Sequence, residues 1–108
     1  MPPTLPTTVP LPVDEIAALC RQHGVVELAV FGSILRDDFG PESDVDFLAR
    51  FAGDDLGPWM SRLDELERDL ERLLGRPVDV VDWKGIEHSR NPYRRHGILA
   101  GHRLLYAA

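Results

Sequence analysis

From Val13 onward apolar residues recur at helical spacing. Ile16, Leu19 and Cys20 fall on one side of a segment that opens near Asp14 and stops at Gly24, which predicts a first helix with His23 in its last turn. Val25 to Phe31 is a short, mostly apolar run of the length and composition of a buried strand. Gly32 follows at once, and a glycine at a strand end lets the backbone turn sharply and approach a ligand closely. Ser33 to Arg36 reads as a helical turn, and the polar D-D-F-G-P-E-S stretch after it, marked by Gly40-Pro41, as a loop. From Asp44 the period becomes two. Val45, Phe47, Ala49 and Phe51 alternate with Asp46, Leu48 and Arg50, so one face of this strand is expected in the core and the other carries acids at its N-terminal end.

Gly53 to Pro58 reads as a connection. Trp59, Leu63, Leu66, Leu70, Leu73 and Leu74 then make an apolar stripe with charged residues opposite, and Gly75 and Pro77 end it, predicting a second helix. Val78 to Val81 is a third strand, with Asp79 on the face opposite Val78 and Val80. A polar stretch from Asp82 through Asn91-Pro92 leads to a last helical segment over about Tyr93 to Tyr106, weakened by Gly97 and Gly101, each costing about 1 kcal/mol relative to alanine. Ahead of all this, prolines at 2, 3, 6, 10 and 12 predict an extended tail. The chain therefore reads as a tail over residues 1–12 and a single domain over 13–108.

Composition narrows the class. A chain of 108 residues, 44% hydrophobic and 28% charged, is one small soluble globular domain. No apolar run approaches the roughly 20 residues of a membrane helix, so no membrane association is expected. The first residues do not look like a signal peptide, and the single cysteine, Cys20, cannot form an internal disulfide; both suit the cytoplasm. The net charge of −6 is uneven: residues 1–83 hold 7 Arg and 17 acids, whereas residues 84–108 hold 5 Lys or Arg and one Glu. That balance argues against direct nucleic-acid binding, yet leaves a basic C-terminal segment suited to an acidic partner or a triphosphate. His88, His96 and His102 do not cluster with cysteine or acids at ligand spacing, so zinc is not expected.

The chemistry lies in two pieces of one stretch. Residues two apart in a strand share a face, so Asp44 and Asp46 would present paired carboxylates of the kind that bind Mg²⁺. Ten residues upstream, the Gly32-Ser33 turn would offer backbone N–H groups to a phosphate. Asp79 on a neighbouring strand adds a third acid, placed to reach a second ion and to take the proton of an attacking hydroxyl. Three such acids repel one another without metal, and divalent ions remove that cost. Together they read as a nucleoside triphosphate site.

Gly32-Ser33, ten residues and Asp44-Val45-Asp46 resemble the G-S-x10-D-x-D signature of the DNA polymerase β nucleotidyltransferase superfamily, with Asp79 in V-D-V-V as its third carboxylate. The small size, G-S-x-x-R at Gly32 to Arg36, and N-P-Y-R-R with L-L-Y near the C-terminus are similar to the minimal nucleotidyltransferases of prokaryotes. The resemblance implies an α/β (α+β) fold, a mixed β-sheet flanked by helices like the polymerase β palm. It also implies ATP as substrate with Mg²⁺, two ions in all. It further implies an antitoxin that silences a HEPN-domain ribonuclease toxin by moving AMP onto a tyrosine, or by binding alone. In that pattern Gly32 and Ser33 would hold the triphosphate, Asp44 and Asp46 the metals, and Asp79 the second metal and the nucleophile. Arg36 would contact phosphate or form a structural ion pair. Leu35, Asp37 and Asp38 depart from the usual surroundings of that arginine. A small-molecule transferase of the aminoglycoside type is a further alternative, against which stands the lack of a second domain to enclose an acceptor.

Overall fold

The first helix, α1 (Val13–His23), carries Asp14 and Glu15 in its first turn and Arg21 and His23 in its last, each sign matched to the helix dipole. Gly24 ends it in the left-handed conformation at φ 72°, with its N–H on the Cys20 carbonyl. This is a computed structural model, and it describes residues 11–35, 40, 43–53 and 56–108. The tail expected over residues 1–12 therefore lies outside the described residues as far as Pro10, as do Arg36, Asp37, Asp38 and most of the loop that follows. Leu11 is described and packs on the core.

β1 (Val25–Phe31) and β2 (Val45–Phe51) form an antiparallel pair running from Val25 opposite Phe51 to Phe31 opposite Asp46. β3 (Val78–Asp82) lies parallel to β2, and a parallel pair needs a crossover, which α2 (Ser61–Leu74) supplies. The four-stranded order is β3-β2-β1-β4, a mixed sheet flanked by helices as the resemblance implied. On one face α1 and α2 bury Ile16, Cys20, Leu66 and Leu70 against Leu28, Val30, Phe47, Ala49 and Val80. His23 and Asp69 join the two helices at 2.7 Å.

Three expectations are corrected. The long last helix is two elements, α4 (Pro92–Ala100) and β4 (Arg103–Ala107), the latter antiparallel to β1. Gly101 breaks the helix, and the chain beyond it satisfies the backbone groups that β1 would otherwise leave unpaired on that side. Trp59 does not belong to the α2 stripe. It stands in a 3-10 turn, Pro58–Met60, and is 98% exposed, while Leu63, Leu66 and Leu70 carry the buried face. The polar stretch after β3 contains a short helix, α3 (Trp83–Glu87), whose N-cap Asp82 accepts the Gly85 N–H at 3.2 Å.

α3 changes the second face of the sheet. Trp83 and Ile86, with Ile98 and Leu99 of α4, cover Ala29 and Leu48 and make a smaller second core. Arg50, on the same face of β2, fixes this cover. It donates to both Glu87 carboxylate oxygens at 2.9 and 3.0 Å and to Glu27 at 2.8 Å, and lies 5.0 Å from the Trp83 ring centre. The face that carries Asp46 at its N-terminal end is therefore apolar through its middle.

Candidate active site

Asp46 and Asp79 are direct partners in the parallel β2–β3 ladder. Side chains of in-register partners point to the same face, and neighbouring strands lie about 4.8 Å apart, so the two carboxylates stand beside each other on the second face. Asp79 is exposed and Asp46 half buried. Asp44 is exposed one residue before β2, so the expected same-strand pair is a strand residue and a residue just outside it. The ladder starts at Val45, whose N–H is taken by the Pro77 carbonyl at 3.0 Å.

β1 delivers the other half of the site. Its last residue, Phe31, pairs with Asp46, and the chain turns at Gly32 into a 3-10 turn, Gly32–Leu35, pinned by the buried Ile34. Gly32 has φ +77°, and a Cβ there would stand 2.5 Å from Asp46 Oδ2. Glycine takes this φ without strain and leaves room for the turn to lie close to the carboxylate. Ser33 is half buried in the same turn. Gly32, Ser33, Asp46 and Asp79 are thus gathered at one end of the sheet, with Asp44 next to them in the chain. Arg36 lies outside the described residues.

The surroundings are acidic. Burial, and after it the charges of Asp79, Glu71 and Asp64, push the Glu67 carboxyl above its ordinary range. Among the described residues no three His, Cys, Asp or Glu side chains converge tightly enough to hold an ion by themselves. In a nucleotide site Mg²⁺ is held by one or two carboxylates and the substrate phosphates rather than by a protein cage. The donors are hard carboxylate oxygens open to solvent, which fits that ion. A cavity of about 390 Å³ between α1 and α2, lined by Leu19, Asp69 and Leu73 among others, contains none of these acids. Cys20 is excluded as a nucleophile: it is fully buried, and burial pushes its thiol up to about 12.

One residue beside the site carried no signal in the sequence. Arg76 donates to the carbonyls of Gly40 and Ser43, the latter immediately before Asp44. These two carbonyls are backbone atoms more than thirty residues away, which no residue pattern announces.

A family model described as a nucleotidyltransferase domain matches residues 14–105. The protein adenylyltransferase MntA of Thermococcus cleftensis is 38% identical over 79 residues, covering 66% of this chain and 77% of that protein. A chain of a toxin–antitoxin complex with AMP-PNP superposes with a TM-score of 0.65 at 22% identity, over 91% of this chain and 75% of that one. A chain from the complex of a tri-AMPylated Shewanella oneidensis HEPN toxin with an MNT antitoxin superposes at 0.61 and 22% identity, over 89% and 70%. At such identities the likeness to these two structures is one of fold.

Proposed function

The chain belongs to the nucleotidyltransferase domain family, and from that premise we propose that it moves AMP from ATP to a tyrosine hydroxyl of a HEPN-domain ribonuclease toxin, acting as the antitoxin of the pair in the cytoplasm. The observation that carries the reading is the pairing of Asp46 with Asp79 beside the Gly32 turn. The 38% identity to a protein adenylyltransferase supports AMP as the group transferred and a protein as acceptor. The fold shared with a chain of an MNT–HEPN complex supports the class of partner.

In this reading the backbone of Gly32 and Ser33 faces the triphosphate, with Arg36 as a further phosphate contact. Asp44 and Asp46, with Asp79, would hold two Mg²⁺ ions, which supply charge neutralisation at the phosphates. The tyrosine oxygen bonds to the α-phosphorus, the bond from that phosphorus to the bridging oxygen breaks, and pyrophosphate leaves. Asp79, the more exposed of the paired acids, accepts the hydroxyl proton.

The test is incubation of the purified chain with α-labelled ATP, Mg²⁺ and its HEPN partner, comparing wild type with Asp46→Asn. Label on the partner with wild type, reduced at least 100-fold by the substitution, is expected for loss of a group that acts on the reacting phosphate. Wild type that labels no protein sinks the transfer reading. Neutralisation of the toxin by Asp46→Asn as complete as by wild type would assign the antitoxin effect to binding alone.

A further inference from the structure

The two halves of the acid cluster are tied together by one cation. Arg76 stands in the connection from α2 to β3, three residues before Asp79. Its side chain is half buried, and its Nη1 donates to the Gly40 carbonyl at 3.2 Å and to the Ser43 carbonyl at 3.3 Å. Gly40 and Ser43 are themselves joined twice, by the Gly40 N–H on Ser43 Oγ at 3.0 Å and by the Ser43 N–H on the Gly40 carbonyl at 3.1 Å. On the other side of Asp44, the Val45 N–H is held by the Pro77 carbonyl at 3.0 Å.

Asp44 therefore lies between two fixed backbone points, and both are held by the dipeptide Arg76-Pro77, which runs straight into Asp79. The sheet ladder, which begins at Val45, supplies only the second of these points, and the first depends on the Arg76 side chain. A neutral amide side chain would have to reach both carbonyls with a weaker donor, whereas a guanidinium is always charged and carries several donors in a fixed plane.

We propose that Arg76 is a positioning residue of the active site, holding the Asp44 backbone at a fixed place relative to Asp79 so that both acids meet one metal-bound triphosphate. The role rests on the nucleotidyltransferase reading. It predicts a change in how Mg²⁺ and nucleotide bind that a merely stabilising arginine would not produce.

The test compares wild type, Arg76→Ala, Arg76→Lys and Arg72→Ala, the last an arginine of α2 whose side chain is 75% exposed. Two readouts are used: amide hydrogen exchange at Ser43 to Asp46 without ligand, and the Mg²⁺ concentration that half-saturates AMP-PNP binding. Arg76→Ala is expected to speed exchange at Val45 and raise the half-saturating Mg²⁺ about tenfold, the usual loss when a group supporting a metal ligand is removed. Arg76→Lys recovers most of both, and Arg72→Ala moves neither. If Arg76→Ala does not fold, Arg76→Gln carries the same comparison. A folded Arg76→Ala with wild-type Mg²⁺ dependence overturns the positioning role, and so does an Arg72→Ala that shifts it equally. Wild type that binds no AMP-PNP at any Mg²⁺ concentration overturns the nucleotide reading itself, and Arg76's role with it.

Discussion

Replacing Gly32 by alanine separates the cost to the fold from the cost to the chemistry. The residue sits at φ +77°, where an L side chain costs about 1–2 kcal/mol, offset by about 0.4–1 kcal/mol because alanine has less freedom to lose on folding. The net of about 1 kcal/mol lowers the melting temperature by about 4–8 °C in a domain of this size. The new Cβ would meet Asp46 Oδ2 at 2.5 Å, while ordinary contact begins at 3.4 Å, so the oxygen must retreat by about 0.9 Å. The displaced atom ends a flexible side chain, so the retreat adds little to the folding cost. It moves a carboxylate of the site, however, and a displacement of that order costs about 100-fold in rate. Gly53 provides the control, with the same φ of +77° and, among the described residues, nothing within 4 Å of its added Cβ. Gly53→Ala is therefore expected to lose similar stability and keep its activity. Thermal unfolding and the initial rate of labelled AMP transfer measure the two quantities. A Gly32→Ala protein that transfers within threefold of wild type, or a Gly53→Ala protein as impaired as Gly32→Ala, refutes the reasoning.

Two further outcomes follow from groups away from the acids. Arg50, through its hydrogen bonds, holds the Glu87 carboxyl below its ordinary value of 4.5 against the opposing effect of burial. A depressed carboxyl contributes stability that is present above its unfolded pKa and lost as pH falls through the folded one, so Arg50→Gln should be less stable than wild type at pH 7 with a gap that narrows toward pH 3. Urea midpoints at the two pH values check this, and an unchanged gap would remove Glu87 from the account. Cys20, pushed by burial from 9.0 to about 12, should be alkylated by iodoacetamide at pH 8 on the order of 1,000-fold more slowly in the folded chain than in urea. The raised pKa also means that stability falls as pH rises from 9.0 toward 12, and equal alkylation rates with and without urea would contradict the burial.

The elements legible from the sequence are those whose period is long enough to repeat. α1, α2 and the first three strands each carry several turns of apolar recurrence or a clear apolar run, and they stand close to where the pattern puts them. α3 has only five residues, too few for a helical period, so its one local sign was the capping Asp82 with Trp83 and Ile86 three apart. β4 was hidden for a different reason. R-L-L-Y-A fits the end of a helix as well as a strand, and what decides is the unpaired side of β1, some seventy residues earlier. The acids stood out by their spacing, and the structure sets Asp46 beside Asp79 in the ladder while Asp44 falls just outside it. Arg76 did not stand out, because a backbone carbonyl has no sequence identity.

β2 shows what alternation alone leaves unsaid about the second face of the sheet. Asp46, Leu48 and Arg50 all point to that face, and a period of two assigns the three a common environment. Their environments differ because helices cover only part of the face. Leu48 lies under Trp83 and is fully buried, and Arg50 fastens the helix that carries Trp83. Asp46 meets Phe31 and Gly32 on one side and Asp79 on the other. The strand thus runs from acid pair to core to clamp within five residues. Loosening the clamp therefore first uncovers Leu48, two residues from Asp46 on the same face, which ties the cover at one end of the strand to the acids at the other.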